Sequence, residues 1–321
     1  MTMRKLAELA GVSVSTISKA FSGSKEVSVS QRERIFELAR EHGCYEKYCK
    51  SNFKGTVIAV LCPEFQSGYY TQQLDYFAQE IRKRGGVMLT GSYDFDKAYK
   101  TELLRYFVEG VKVDGVILYG LSLGRMCYDT PMVVLGRSDA YDSVQLSWEQ
   151  ALAEALEYLV QNGHRDIGFI GEKYTQSKYL AFRRIMDKMG MPVNDKYIEC
   201  TDERFQIGGY KAMEALLAME KPPTAVFAAY DGIAMGAMRS IREHGLRIPE
   251  DISVIGMDDC KECAYVDVSL SSVSSYNEGL CEIVVDILFD RILNGQIGKK
   301  KHIKVSAEFI RRESVGAAKK E

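Results

Sequence analysis

From Val57 onward, short apolar runs alternate with stretches whose apolar positions recur at helical spacing, which is the pattern of parallel α/β units. The runs predict strands at Val57–Cys62, Val87–Thr90, Gly115–Tyr119, Met132–Leu135, Ile167–Ile170, Ala225–Ala229 and Ser253–Gly256. The amphipathic stretches predict helices over Tyr70–Arg84, Ala151–Asn162, Ala181–Met189, Gly208–Met219 and Gly232–His244. Two such sets give two α/β subdomains with parallel sheets facing across a cleft. A crossover near Ser271 to Tyr276 is expected to return the chain to the first subdomain, where helix Glu278–Leu293 belongs.

Before residue 44 the pattern changes to three short helices. Thr2 is placed to cap a helix over Met3–Ala10, with Leu6, Leu9 and Ala10 on its apolar face. Gly11 ends it, since the residue past a helix end often takes a positive φ that glycine reaches without a Cβ clash. Ser13 is an N-cap for a second helix, Val14–Phe21, with Ile17 and Ala20 inward. Ser28 and Gln31 form a capping box opening a third helix, which Gly43 closes; its core stripe is Ile35, Phe36, Leu38 and Ala39. Leu6, Ala10, Val12, Ile17 and Ala20 fall where two steeply crossing helices need apolar contacts, with small Ala7 at their closest approach. That spacing fits a helix-turn-helix, with a generic helical hairpin as the bland alternative.

Composition narrows the class. At 321 residues the chain is too long for one ordinary core and suits two or three domains. No run approaches the roughly 20 apolar residues of a membrane span, and charges occupy the N-terminus where a signal peptide needs its apolar core. Eight cysteines are too sparse for a disulfide scaffold. The expectation is a cytoplasmic protein without a membrane segment. Net charge is −2, yet residues 1–56 carry ten Lys and Arg against six Asp and Glu, and the remainder 32 against 38. A basic head on an acidic body suits one domain that meets phosphate and another that does not.

Enzymatic signals are weak. No G-x-G-x-x-G or P-loop follows a predicted strand, and neither G-x-S-x-G nor H-E-x-x-H occurs. Cys260-x-x-Cys263 invites a redox or zinc reading, but it lacks a second such pair or histidines at ligand spacing. Asp258 and Asp259 are adjacent on an extended segment and point opposite ways. No catalytic residue, cofactor or metal site is assigned.

Gly11-Val12-Ser13-Val14-Ser15-Thr16-Ile17-Ser18-Lys19 resembles the helix-turn-helix signature of the lactose-repressor (LacI/GalR) family. Val27-Ser28 and Arg32-Glu33-Arg34-Ile35 are similar to its third helix. The resemblance continues through Val113–Ile117, Gly163–Gly171, Pro249–Asp259 and the terminal Glu308-Phe309-Ile310 with Arg312 and Ser314, in order along nearly the whole chain.

The resemblance implies a sequence-specific transcriptional regulator, a repressor of operator DNA controlled by a small molecule. It places the start of the second helix in the major groove, with Val14, Ser15 and Lys19 toward base edges and Ser13, Thr16, Ser18 and Ser22 on phosphates. Lysine at position 19, where the family usually has arginine, loses the planar two-pronged donor. Family members usually continue with Tyr-x-Pro-Asn and a helix that wedges a leucine into the minor groove. Here Cys44 to Phe53 has no proline, leaving Phe53 either as the wedge or as a packing residue. The implied organisation is a helix-turn-helix domain at 1–43, a linker at 44–56 and an effector-binding and dimerisation domain at 57–321. A homodimer on a near-palindromic duplex is the expected assembly.

Open parallel sheets bind ligands beyond the carboxyl ends of their strands. The segments there, read with the family's pattern, nominate Tyr69, Tyr70, Tyr119, Arg137, Lys178, Arg204, Phe205, Tyr230, Asp231 and Asp258 for the effector. Aromatic rings cover the CH faces of sugars while charged groups bond their hydroxyls. A sugar or sugar derivative is therefore expected; Arg137, Lys178 and Arg204 together favour a phosphorylated or acidic one, unless an arginine is paired with Asp231 or Asp258 and adds no net charge. The alternative is a cytoplasmic sugar-sensing or sugar-transforming α/β protein that does not read DNA.

Overall fold

A computed structural model of the chain describes residues 1–21, 24, 26–48, 55–120, 128–275, 277–294 and 299–319. It divides into two units, Met1–Gly55 and Thr56–Glu321.

The first unit opens with helix α1, Met3–Ala10, where the Thr2 hydroxyl accepts from the Lys5 N–H at 3.3 Å. Gly11 follows at φ +66°, the left-handed conformation that turns the chain toward α2, Val14–Phe21. Ser13 Oγ accepts from the Thr16 N–H at 3.0 Å and starts that helix. Ser28 accepts from the Gln31 N–H at 3.3 Å at the head of α3, Val29–Glu41, and Gly43 at φ +61° ends it. A single turn, α4, Tyr45–Tyr48, completes the unit. Leu6, Ala7, Ala10, Ile17, Ala20, Ile35 and Ala39 are buried together. Phe21 lies 5.0 Å from Phe36 and 5.8 Å from Tyr48, ring to ring, so aromatics extend a core that so short a segment could not otherwise fill. Leu9, expected on the apolar face, is 42% exposed, because the inward side of α1 is set by Leu6, Ala7 and Ala10.

The second unit begins with β1 (Val57–Cys62), α5 (Gly68–Lys83), β2 (Val87–Ser92) and α6 (Lys97–Arg105), the last running into a π-helical turn at Tyr106–Val111. Then come β3 (Gly115–Tyr119), β4 (Met132–Leu135) and β5 (Asp142–Ser147). The chain next builds α7 (Glu149–Gln161), β6 (Ile167–Glu172), α8 (Gln176–Lys188), β7 (Ile198–Thr201), α9 (Phe205–Leu217), β8 (Ala225–Ala228) and α10 (Asp231–Glu243). It closes with β9 (Ser253–Asp258), β10 (Ser271–Ser274), α11 (Asn277–Asn294), β11 (His302–Ser306) and β12 (Glu308–Ile310). One sheet has the order β11-β5-β4-β3-β1-β2 and is parallel throughout. The other has the order β12-β10-β9-β8-β6-β7, parallel except for β12. The chain passes between the two subdomains three times: from β5 to α7, from β10 to α11, and from β11 to β12.

Strands β1, β3, β4, β6, β8 and β9 coincide with apolar runs, since parallel strands are covered on both faces. Strands β5, β7, β10, β11 and β12 were not predicted. They are edge or near-edge strands carrying residues such as Asp142, Glu199, Ser272 and Lys304, which break the apolar signature. One core surrounds Phe77, Ile81, Ile117 and Leu288 of the first subdomain, where α11 packs on α5; another surrounds Phe169, Phe182 and Phe227 of the second.

Helices α9 and α10 touch backbone to backbone. A Cβ on Gly209 would lie 2.0 Å from the Ile233 carbonyl oxygen, and one on Gly236 would lie 2.0 Å from that of Gln206. This crossing sets the N-termini of both helices, Phe205 and Tyr230-Asp231, side by side at the strand ends. Gly209→Ala and Gly236→Ala should each destabilise the second unit by roughly 1–3 kcal/mol or more, through overpacking against rigid backbone. Urea unfolding checks this, and an unchanged midpoint would show that the helices separate at no cost.

Candidate functional site

In the first unit, Ser13, Val14, Ser15 and Ser18 are exposed along the start and outer face of α2, while Thr16 and Lys19 are half-buried. Val14 keeps 44% of its surface open, an apolar tip beside hydroxyls. Ser13 and Thr16 share a hydroxyl contact at 2.8 Å, so part of their bonding capacity goes to the cap. Lys19 Nζ pairs with Glu26 at 2.5 Å, and any contact to a base edge must exchange that carboxylate. Ser22 and Phe53 lie outside the described residues.

In the second unit a cavity of about 310 Å³ opens between the two sheets, at the lower end of the range for small-molecule sites (roughly 300–1,000 Å³). It collects the carboxyl ends of strands from both subdomains. Glu64 and Tyr69-Tyr70 follow β1, Phe95 follows β2, Tyr119 ends β3, and Gln145 lies in β5; across from them, Tyr174 follows β6, Tyr230 follows β8 and Asp258 ends β9. Lys178, on the first turn of α8, lines it as well. The predicted start of α8 at Ala181 was late, because the polar turn Gln176–Leu180 carries little apolar periodicity.

Six of the ten nominated residues therefore share one cavity: Tyr69, Tyr70, Tyr119, Lys178, Tyr230 and Asp258. Phe205 and Asp231 line an adjoining recess of about 280 Å³ that shares Tyr69, Tyr230 and Asp258. Arg137 is not brought to the cleft. It follows β4 into a separate polar cavity with Ser138, Asp139, His302 and Lys304, on the far side of Gln145, which lines both.

The charged groups are tied to one another. Lys178 Nζ donates to the Ala229 carbonyl at 2.6 Å, stands 3.6 Å from Asp258, and lies 4.3 Å over the Tyr230 ring. Arg204 crosses the cleft to Glu64, whose carboxylate takes both terminal nitrogens, one of them at 2.8 Å. Its Nε faces Glu172 at 3.5 Å, and Tyr230 donates to the other oxygen of Glu172 at 2.9 Å. Phe95 and Tyr174 stack across the same opening, centroids 4.1 Å apart and 15° from parallel. Arg204 lies over Tyr174 at 5.0 Å and over Phe205 at 4.5 Å. Burial alone would weaken the Arg204 guanidinium, but Glu64 and Glu172 more than reverse it and keep it charged. Burial also holds the Tyr69, Tyr70, Tyr119 and Tyr230 phenols well above their ordinary range, so they are protonated donors.

Sequence reasoning missed Glu64, Phe95, Glu172 and Tyr174. Each follows or ends a strand, so the strand-end rule would have found them; Glu172 lay two residues past the predicted end of β6. The expected partners of the cleft arginine, Asp231 or Asp258, are replaced by Glu64 and Glu172. Asp231 instead accepts from the Cys260 N–H at 2.8 Å and the Ser272 hydroxyl at 2.6 Å. The Cys260 and Cys263 sulfurs stand 3.5 Å apart, and Asp231, Cys260 and Cys263 present ligand atoms within 4.8 Å of one another. That donor set suits a soft divalent ion, but its carboxylate is already satisfied by protein donors.

Comparison with known proteins follows the same division. Residues 2–45 match the family described as bacterial regulatory proteins, lacI family, and residues 156–315 match the periplasmic binding protein-like domain. The chain is 29% identical over 335 residues to the probable HTH-type transcriptional repressor ExuR of Bacillus subtilis, covering 98% of each chain. It is 27% identical over 340 residues to the HTH-type transcriptional repressor PurR of Salmonella paratyphi B, covering 98% of this chain and 96% of that one. Among solved structures, a LacI-family transcriptional regulator from Silicibacter pomeroyi superposes with TM-score 0.77 at 20% identity, over 98% of this chain and 99% of that one. A complex of the regulator CelR with cellobiose gives 0.67 at 24% identity, over 98% and 99% of the two chains. A LacI-family regulator from Enterococcus faecium with bound ribose gives 0.70 at 23%, over 82% and 100%.

Asp258 supplies a pH test of the cavity. Burial pushes its carboxyl up, to about 7, with Lys178 pulling down and Asp231 pushing up. The Tyr69, Tyr70 and Tyr230 phenols also face it and stay neutral. The folded state thus holds a proton that the unfolded chain releases near about pH 4. The stability this contributes is complete below that value and is lost as pH rises to about 7. Between those limits the parent should lose stability relative to Asp258→Asn, whose amide does not titrate. Urea unfolding of both proteins across the window measures the difference, and parallel curves would mean that Asp258 is ionised throughout.

Proposed function

The chain belongs to the lacI family of bacterial regulatory proteins, and from that premise we propose how its parts divide the work. It is a DNA-binding transcriptional regulator with a periplasmic-binding-protein-like effector domain, and its relatives are repressors, not enzymes. In our reading residues 1–43 read the operator. Val14, Ser15 and Lys19 face base edges, and Ser13, Thr16, Ser18 and Ser22 set the register on phosphates. Of the expected linker 44–56, Cys44, Tyr45 and Tyr48 pack on the head, and the residues after Tyr48 form the linker, with Phe53 as the candidate minor-groove wedge. Residues 57–321 hold the effector and form a homodimer in the cytoplasm. Two heads on a near-palindromic duplex raise affinity through effective concentration, where one small head offers few base contacts.

The observation that carries the effector assignment is the cavity at the strand ends of both subdomains, walled by Tyr69, Tyr70, Tyr119 and Tyr230 with Asp258 among them. Rings that cover CH faces and buried groups that bond hydroxyls suit a sugar or sugar derivative. The cellobiose- and ribose-bound neighbours support that class. A ligand touching both subdomains favours the closed arrangement, and its differential affinity for closed and open forms is what shifts DNA binding.

Operator affinity should fall steeply with salt as phosphate contacts release counterions. Lys19→Ala should cost roughly 1–3 kcal/mol of specific binding and leave non-specific binding nearly unchanged. Fluorescence anisotropy at several salt concentrations reads both, and an equal loss on all sequences would reassign Lys19 to a phosphate. For the effector, Asp258→Asn should weaken a sugar identified by thermal shift by about 1–3 kcal/mol while operator binding without ligand is retained. Equal affinity by calorimetry would make Asp258 a structural residue.

A further inference from the structure

The effector cleft contains arginine and lysine, which at first suggests an anionic ligand. Their environment points the other way. Arg204 gives both terminal nitrogens to Glu64 and turns its Nε toward Glu172. Lys178 is held by the Ala229 carbonyl, by Asp258 and by the face of Tyr230. Arg137, the third basic candidate, lines a different cavity. Among the described residues, the two cations at the cleft thus face three carboxylates, and each cation is already matched.

We propose that this cleft selects a polyhydroxy ligand without phosphate or carboxylate groups, and excludes the anionic derivatives of the same sugar. The inference rests on the reading of the cleft as an effector site and adds the charge class. An incoming anion would have to draw Arg204 from Glu64 or Lys178 from Asp258. The first exchange strands a buried carboxylate, Glu64 at 7% exposure, and the second takes from Asp258, 9% exposed, the cation that favours its ionised form. Leaving one partner of a buried pair uncompensated costs more than the new contact returns. Hydroxyl and amine donors face no such exchange. Glu172 Oε2 and Arg204 Nε, 3.5 Å apart, are both buried without a hydrogen-bond partner, and a hydroxyl, which donates and accepts, would satisfy both. The rings of Tyr70, Tyr119, Trp148 and Tyr230 on the cavity wall accept CH faces and, for an amine, offer cation–π contact.

The test uses the full-length protein and matched sets built on one skeleton: glucose, glucosamine, glucuronate and glucose 6-phosphate, with the corresponding galactose and ribose series and cellobiose. Thermal shift identifies the skeleton that binds, and calorimetry ranks its derivatives. The expected result is that neutral or amine members bind and their anionic counterparts are roughly tenfold or more weaker. An anionic member binding more tightly than its neutral parent overturns the proposal while leaving the effector site in place. Silence from every set, neutral and anionic alike, overturns the sugar reading itself and this proposal with it. Glu64→Gln releases Arg204 from its ionised partner and should narrow the neutral-to-anionic ratio; an unchanged ratio in a folded variant overturns the role given to Glu64. The ranking on the parent protein decides the charge class even if that variant does not fold.

Discussion

Two parallel strands cannot be joined by a tight turn; each must be followed by a crossover long enough to bring the chain back to its starting edge. Nearly everything in the larger unit depends on that requirement. Among the described residues most of the crossovers are helices, which cover both sheet faces, while β4 returns to β5 through the short loop 136–141; the strand-to-helix loops of a sheet come out at one end. With two such sheets facing each other, the loops after β1, β2, β6, β7 and β8 meet in one place although they are scattered over 170 residues of sequence. The cavity is what remains between those ends, and its polar walls are the residues that the loops had to carry.

That dependence also explains what could be read from the sequence. Interior parallel strands such as Ile58–Leu61 and Val226–Ala228 are apolar on both faces and stand out as runs. Edge strands such as His302–Ser306 are half-exposed and mixed, so their sequence looks like a loop. The helix caps at Thr2, Ser13 and Ser28 were legible because one hydroxyl at one position decides them. At the cleft, Tyr69, Tyr230 and Asp258 could be nominated because each lies close to a recognisable strand end. Arg137 follows the same rule and still lands elsewhere: Leu135 and Gly136 at the end of β4 line the cleft, but the next residue turns away into the cavity formed with Ser143 of β5 and His302 and Lys304 of β11. Which loop faces which is a property of strand order, and strand order is not written in local periodicity.

Charge pairing was the least legible layer. Arg204 and Glu64 are 140 residues apart, and nothing near either in sequence announces the other. Reading the arginine alone suggested an anion site; reading it with its partners suggests the reverse. Buried cations carry functional meaning only once their counter-charges are known, because a guanidinium with both prongs occupied offers a ligand mainly its face.

The three passages of the chain between the subdomains have a mechanical consequence. A single connector would let the two halves swing, twist and slide almost independently. Three connectors remove most of those freedoms, in the way that three straps across a book's spine leave it able only to open and shut. Whatever the cavity holds can then be reported as one coordinate, the angle between two rigid covers. A signal of that kind passes along the chain as a change in spacing, without any need for the ligand's chemistry to be felt beyond the cleft.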